Sequence, residues 1–396
     1  MTLLIKQATA FDHHQPEDWL LEQGKIVARA ATLPAPTADC TLIDGRGFQL
    51  FPGLVDGHAH IDKSVWGRDW YHNDVPRDLT AIIANERDYR RNQQPDIQLQ
   101  SERIVRECIS HGTAFIRSHI DIDNECGLNN LAGVLATKEK LRGQVDIETV
   151  AFPQSGILRS PGTEALLEKA LQMGADLIGG LDPCSYEKDP VKHLDIIFRL
   201  ATKYGKGVDI HLHELGELGA FSTELIINRT REYGLAGKVT ISHAFCLGMV
   251  DADAQKRFAD QLAELDIAIA TTAPPNVAVP PFDLLRAAGV RVCAGNDGVR
   301  DTWNPYGNGD MLQRAMLMGL RYRWRKDSEI LKAARTVTEG GAEVMRLENY
   351  GLNVGCRADM VLVPARAMAE AIACPPPGRT VIKQGVVIAR NGECLF

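Results

Sequence analysis

Two histidines one residue apart, His58-Ala59-His60, follow an apolar run, Leu50 to Val55, and an Asp-Gly pair. Residues two apart on a strand share a side, so both imidazoles face one way, which makes half of a metal site. The chain offers complements to that half: His211 with Glu214 three residues on, His243, and Asp297 in Gly295-Asn-Asp-Gly298. His58, His60, His211 and Asp297 supply three nitrogens and one carboxylate. Such a set suits one divalent ion, Zn²⁺ or Fe²⁺ with Mn²⁺ as a further option, and leaves a position for water. The pKa of that water would fall from ~15.7 towards ~7, so that it attacks as hydroxide at neutral pH. Asp297 alone reads as a ligand, as a base for the water, or as a turn cap.

Other residues surround this set with organic chemistry. Glu214 is an odd number of residues from His211, so it falls just past the strand. A carboxylic acid there can carry a proton from the attacking water to a ring nitrogen and a leaving amine. His243 could assist the water, or be a core histidine bonded to a carbonyl. Gln154 carries a donor and an acceptor on one planar amide, which matches the edge of an amide-like ring. Lys63 holds a substrate oxygen or is an ordinary loop lysine. Trp303, in Asp301-Thr-Trp-Asn-Pro-Tyr-Gly307, walls a flat ring by stacking or packs inside a turn. His119 and Asp121 read as supports, and His213 as a further ligand candidate.

The elements that must position these residues alternate. Eight apolar, β-rich runs can be counted: 51–58, 114–121, 147–154, 176–182, 208–213, 239–244, 267–272 and 290–297. Helical patterns separate them at 79–109, 128–141, 164–173, 191–204, 220–233, 251–265 and 282–288, followed by 311–325 and 328–345. Strand–helix alternation argues for a parallel sheet, and eight units over some 300 residues for a closed (β/α)8 TIM barrel. Nearly every run ends in a residue able to do chemistry, and the carboxyl ends of barrel strands form one mouth. No Gly-x-Gly-x-x-Gly or phosphate-loop motif supports a nucleotide-binding open sheet. The chain ends differ in character, with short strands at 3–8, 19–22, 25–30, 358–363, 381–383 and 386–389 and turns at Gln23-Gly24, Asp44 to Gly47, Gln384-Gly385 and Asn391-Gly392. Residues 1–52 and 347–396 are therefore expected to meet in one small β-sandwich domain, with 53–346 forming the barrel.

Composition narrows the class. A net charge of −7 without a Lys/Arg run argues against a nucleic-acid surface. No apolar run reaches the ~20 residues of a membrane span, and no leader pattern opens the chain. Nine scattered cysteines without Cys-x-x-Cys fit reduced thiols and a cytoplasmic location. The Pro-Cys-x-x-Cys signature of nucleic-acid base deaminases is absent.

Pro52-Gly-Leu-Val-Asp-Gly-His-Ala-His60, Ala151-Phe-Pro-Gln-Ser-Gly-Ile157, His211-x-x-Glu214, Ser242-His243, Gly295-Asn-Asp297 and Gly355-x-x-Ala-Asp-x-Val-Leu-Val363 carry a resemblance. Together they resemble the amidohydrolase superfamily, and within it the cytosine deaminase branch. That resemblance implies one metal on His58, His60, His211 and Asp297, a proton shuttle at Glu214, water assistance at His243 and pyrimidine binding at Gln154. Dinuclear relatives place a bridging lysine after strand three or four, where Gln154 and Asp182 stand here. The expected reaction is hydrolytic deamination of a cytosine-like pyrimidine, with room for a 5-substituent because Gly298 stands where that branch has a second Asp. His58-x-His-x-Asp-Lys63-Ser64, Gly179-Gly-Leu-Asp-Pro183 and 299–311 are similar instead to amidohydrolases that release an alkylamine from an s-triazine such as N-isopropylammelide. A non-catalytic scaffold with this fold is the remote third expectation. Relatives are often homo-oligomers; the expected partner is otherwise a small heterocyclic substrate, with neither nucleic acid nor membrane.

Overall fold

The computed structural model describes residues 2–11, 13, 15–36 and 39–396. Strands β1 (Thr2–Ala10), β2 (Pro16–Glu22), β3 (Lys25–Ala30), β4 (Thr41–Asp44) and β5 (Phe48–Pro52) lead into the barrel strands. These are β6 (Leu54–Ala59), β7 (Thr113–Asp121), β8 (Asp146–Phe152), β9 (Leu177–Leu181), β10 (Gly207–Leu212), β11 (Val239–His243), β12 (Ala268–Thr271) and β13 (Val292–Ala294). The chain closes with β14 (Met360–Pro364), β15 (Thr380–Lys383), β16 (Val386–Arg390) and β17 (Glu393–Cys394).

β6 to β13 pair in parallel and in sequence order, with helices between them. The ring closes through a parallel bridge between Ala59 and Asp297, where the Asp297 N–H donates to the His58 carbonyl at 2.8 Å. A candidate ligand thus sits on the closing seam, which fixes its backbone against that of a second candidate. The outward residues are apolar and meet the helices: Ile116 and Ile120 on β7, Val208, Ile210 and Leu212 on β10. Several inward residues are polar, Arg117, His119 and Asp209 among them, while Phe152 packs on the His211 ring. Arg117 donates to Asp209 at 3.1 Å and to Thr240 at 3.0 Å beneath the mouth. Buried polar groups tolerate such a lumen when paired, as Arg117, Asp209 and Thr240 are.

The two chain ends share one mixed sheet, ordered β17-β16-β15-β14-β5-β1-β2-β3 with β4 also paired to β1. Its own core holds Leu3, Ile5, Trp19, Leu21, Ile26, Met360, Leu362 and Ile382.

Three local expectations are corrected. The helix expected over 79–109 is two, Leu79–Gln93 and Ile97–Ser110. Gln94 turns left-handed at φ 40°, Pro95 cannot continue the ladder, and the Asp96 side chain caps the new helix by accepting from the Leu99 N–H. The helix expected over 328–345 breaks between Thr336 and Glu339, and Gly341 lies so close to β6 that a Cβ there would stand 2.6 Å from Val55. Asp44 to Gly47 does not reverse the chain. β4 and β5 both run parallel to β1, and the segment is a kink in which the Gly45 N–H donates to the Lys6 carbonyl at 2.7 Å.

Candidate active site

The ligand atoms of His58, His60, His211 and Asp297 lie within 4.8 Å of one another. Nε2 of His60 stands 3.2 Å from Nε2 of His211, and Asp297 Oδ1 is 3.3 Å from His60 Nε2 and 3.8 Å from His58 Nε2. Among the described residues His58 Nε2 is buried without a hydrogen-bond partner. Burial pulls the His58 pKa down to about 3, against the opposing charge of Asp297, and burial likewise holds His211 well below its ordinary value. Burial pushes Asp297 upward, yet the surrounding imidazoles outweigh it and hold the carboxyl well below the usual range. Imidazole nitrogens and one carboxylate therefore converge on one point, the donor set of a divalent cation.

The groups behind this point are ordered. His58 Nδ1 lies 2.9 Å from Ser242 Oγ, which donates to Asp209 at 2.6 Å. His119 is buried under the ligands, its ring centroid 4.3 Å from that of His58 and 4.4 Å from that of His211, and among the described residues neither nitrogen has a hydrogen bond, though Nε2 lies 3.7 Å from Asp209.

His243 reaches the site by a backbone device. Thr240 and Ser242 already face inward, so alternation would send His243 outward. A left-handed φ of 71°, followed by 47° at Ala244, swings it to the mouth instead, with its ring 4.8 Å from that of His58. Asp182 and Asp297, at φ 34° and 63°, are held left-handed in the same way.

Asp182 receives the backbone N–H of His213 at 2.7 Å and pairs with its Nδ1 at 2.8 Å. Burial lowers the His213 pKa, but the Asp182 charge and hydrogen bond win and raise it. His213 stacks on His243 at 4.4 Å and lines the cavity. Glu214, the expected shuttle, is turned elsewhere. One oxygen accepts from the backbone N–H groups of Cys184 at 2.8 Å and Ser185 at 2.6 Å, and the other from the Ser222 hydroxyl. Its acceptors are committed to the loop that follows Asp182 and to the helix Gly216–Glu232.

A cavity of about 210 Å³ opens over the ligands. Lys63, Gln154 and Trp303, all expected at the substrate, line it together with His213 and Asp301. Lys63 donates to Gln154 Oε1 at 2.8 Å and pairs with Asp121 at 3.0 Å and Glu86 at 3.4 Å. Among the described residues nothing accepts from the Gln154 NH₂, and the amide lines the cavity. Burial opposes the Lys63 charge, but Asp121 and Glu86 outweigh it and raise its pKa. Trp303 Nε1 donates to Glu86, and Arg90 ties Asp121 and Asp123 from behind at 3.0 and 2.9 Å. Glu86 and Asp301 were not among the expected residues. Ile83, Glu86 and Arg90, spaced by three and four along one helix face, were the available signal for the first. Asp301 two residues before Trp303, an Asx-turn pattern, was the signal for the second.

Known proteins resemble this chain in sequence and fold. Residues 41–389 match the model of an amidohydrolase family. The chain is 32% identical over 407 residues to N-isopropylammelide isopropyl amidohydrolase of Pseudomonas sp. (strain ADP), covering 98% of this chain and 97% of that one. The crystal structure of N-isopropylammelide isopropylaminohydrolase from Burkholderia multivorans superposes with a TM-score of 0.96 at 46% identity, over 100% of both chains. That of 5-methylcytosine deaminase from Klebsiella pneumoniae, liganded with phosphonocytosine, gives 0.85 at 25% identity over 98% of each. With its fold and sequence matched over nearly their whole length, the chain belongs to the amidohydrolase family.

Proposed function

We propose that this amidohydrolase, a hydrolase of C–N bonds, releases an amine from a keto-bearing six-membered nitrogen heterocycle, with an N-alkylated s-triazine such as N-isopropylammelide as the favoured substrate. The observation that carries the reading is the 46% identity across the full length of both chains to an enzyme named for that reaction. His58, His60, His211 and Asp297 would hold the ion, which supplies Lewis-acid activation of water when bound. The chain's own residues do the rest. The NH₂ of Gln154, aimed by Lys63, meets a ring carbonyl. Trp303 walls the ring face. His243, with both nitrogens unpartnered, orients the attacking water. His213, braced by Asp182 through Nδ1, keeps Nε2 for a proton bound for the leaving nitrogen.

A second reading, deamination of 5-methylcytosine or a similar pyrimidine, is favoured by Glu214 after His211 and by the likeness at TM-score 0.85. Amine release from N-isopropylammelide, cytosine and 5-methylcytosine by metal-loaded protein separates the two. Isopropylamine supports the first reading, ammonia from a pyrimidine the second, and silence on all three overturns both.

A further inference from the structure

Asp301 lies four residues beyond Asp297, on the loop after β13, and is buried. Its two oxygens do different things. Oδ1 accepts from the backbone N–H groups of Trp303 at 2.8 Å and Asn304 at 2.7 Å, which builds the turn that presents Trp303. Among the described residues no hydrogen bond reaches Oδ2. That oxygen occupies the room a side chain at position 298 would take: a Cβ built on Gly298 would stand 1.9 Å from it. Gly298, Asp301 and Gln154 line the same cavity as His60, His211 and Asp297. The glycine beside the ligand Asp297 is thus a vacancy in sequence only; a carboxylate from three residues further on fills it.

We infer that Asp301 Oδ2 is the pocket's acceptor for a ring N–H of the substrate, paired with the Gln154 NH₂ as donor for the adjacent ring carbonyl. The inference rests on the heterocycle reading above and deepens it. The two side chains together read a –C(=O)–NH– edge, an imide or ureide edge of a nitrogen heterocycle. Lys63 leaves this reading to Gln154, because its three protons already face Gln154, Asp121 and Glu86. A site built to accept a hydrogen bond discriminates strongly against a ring that cannot give one. Asp301 is in this sense a specificity-determining residue that touches substrate, while the chemistry stays with the groups around the ligands.

Asp301→Asn is a sharp probe. Its Oδ1 can keep both turn hydrogen bonds, while Nδ2 replaces Oδ2 and turns the acceptor into a donor. Gly298→Ala is the second probe, since its Cβ takes the place of Oδ2 and pushes an unaltered carboxylate aside. The metal-loaded wild type and both variants are assayed on N-isopropylammelide and on its ring-N-methylated analogue, with metal content and thermal midpoint measured in parallel. For a charged acceptor, kcat/KM on the parent ring should fall about 10- to 100-fold in both variants. On the methylated ring, wild type and Asp301→Asn should differ by less than about 3-fold, because no N–H remains to be read. Equal losses on both rings, or loss of metal or midpoint in Asp301→Asn, would overturn the inference and leave Asp301 as a turn former. A wild type silent on both rings would overturn the heterocycle reading itself, and the inference with it. An active wild type with indifferent variants overturns the inference alone.

Discussion

His60 and His211 present Nε2 to Nε2 at 3.2 Å, inside a cluster completed by buried His58 and half-buried Asp297. Two imidazole nitrogens at that separation set lone pair against lone pair unless a shared proton or a cation lies between them. The chain should therefore be less stable without a divalent ion. Chelation is expected to lower the thermal midpoint, and Zn²⁺ or Fe²⁺ to restore it, by about 2.7 kcal/mol at a hundredfold excess over Kd. His60→Ala and His211→Ala should lose this dependence. Calorimetry on the four samples decides it; a midpoint indifferent to metal in the native chain would remove the metal reading.

Ser242 has a role that geometry assigns without touching the ion. Its Oγ meets His58 Nδ1 at 2.9 Å and donates to Asp209 at 2.6 Å, so His58 is held with Nε2 toward the other ligands. Partners of this kind are worth about 10- to 100-fold in metal affinity. Ser242→Ala should weaken metal binding by that factor, read by competition with a chromophoric chelator. An unchanged Kd would mean that packing alone orients the ring.

How much of this was legible in the sequence depended on backbone conformation. Alternating periods of two and near four gave the barrel, the His-x-His pair was placed by strand parity, which the structure obeys, and His211 was picked out at a strand end. His243 was found as a residue at a strand end, but its route to the site was not readable, since φ 71° breaks the alternation that parity assumes. Glu214 fell past the strand as expected; its direction was set by two backbone N–H groups from the loop after β9, remote in sequence, and by the Ser222 hydroxyl in the helix that follows it. Glu86 and Asp301 were hidden for a related reason. A glutamate on a helix and an aspartate in a turn look solvated until the fold brings Lys63 and a cavity to them.

Lys63 binds three acceptors, two of them buried carboxylates. Lys63→Met should leave Asp121 and Glu86 with Arg90 as their remaining cation, at 3.0 and 3.6 Å, and cost up to about 3–5 kcal/mol in urea unfolding. It should also release Gln154 Oε1, so that the amide can turn over and KM rises. Adding Asp121→Asn to Lys63→Met should recover part of the stability and none of the KM. Full recovery of both would show that Lys63 does not aim the amide.

The proton route separates two neighbours in sequence. His213→Gln, which keeps size and loses proton transfer, should cut kcat by about 10²- to 10⁴-fold with the thermal midpoint little changed. Glu214→Gln turns an NH₂ toward the Cys184 and Ser185 N–H groups or toward Ser222. It should cost about 1–3 kcal/mol of stability, and lose activity through the displaced loop. The opposite pattern, a silent Glu214→Gln of full stability and an active His213→Gln, would return the shuttle to the carboxylate.

Lys383 joins the end sheet to the barrel. Buried at the end of β15, it donates to the Ala114 carbonyl of β7 at 3.0 Å, to Asp146 of β8 at 2.8 Å and to Asp359 at 3.1 Å. Lys383→Met should leave Asp359 buried with only Arg357 to pair it, at 3.1 Å, and cost up to about 3–5 kcal/mol in urea unfolding. Burial pushes Asp146 upward, but Lys383 and Arg357 outweigh it and lower its pKa. A lowered carboxylate stabilises the fold above its unfolded pKa, near ~4, and that share vanishes as pH falls through the folded value. The acid limb of stability against pH should thus be steeper in wild type than in Lys383→Met. Metal affinity should be equal in the two chains, because no ligand leans on Lys383. A variant whose acid limb matched wild type would show that Arg357 alone holds Asp146, and that the lysine serves Asp359 and Ala114 only.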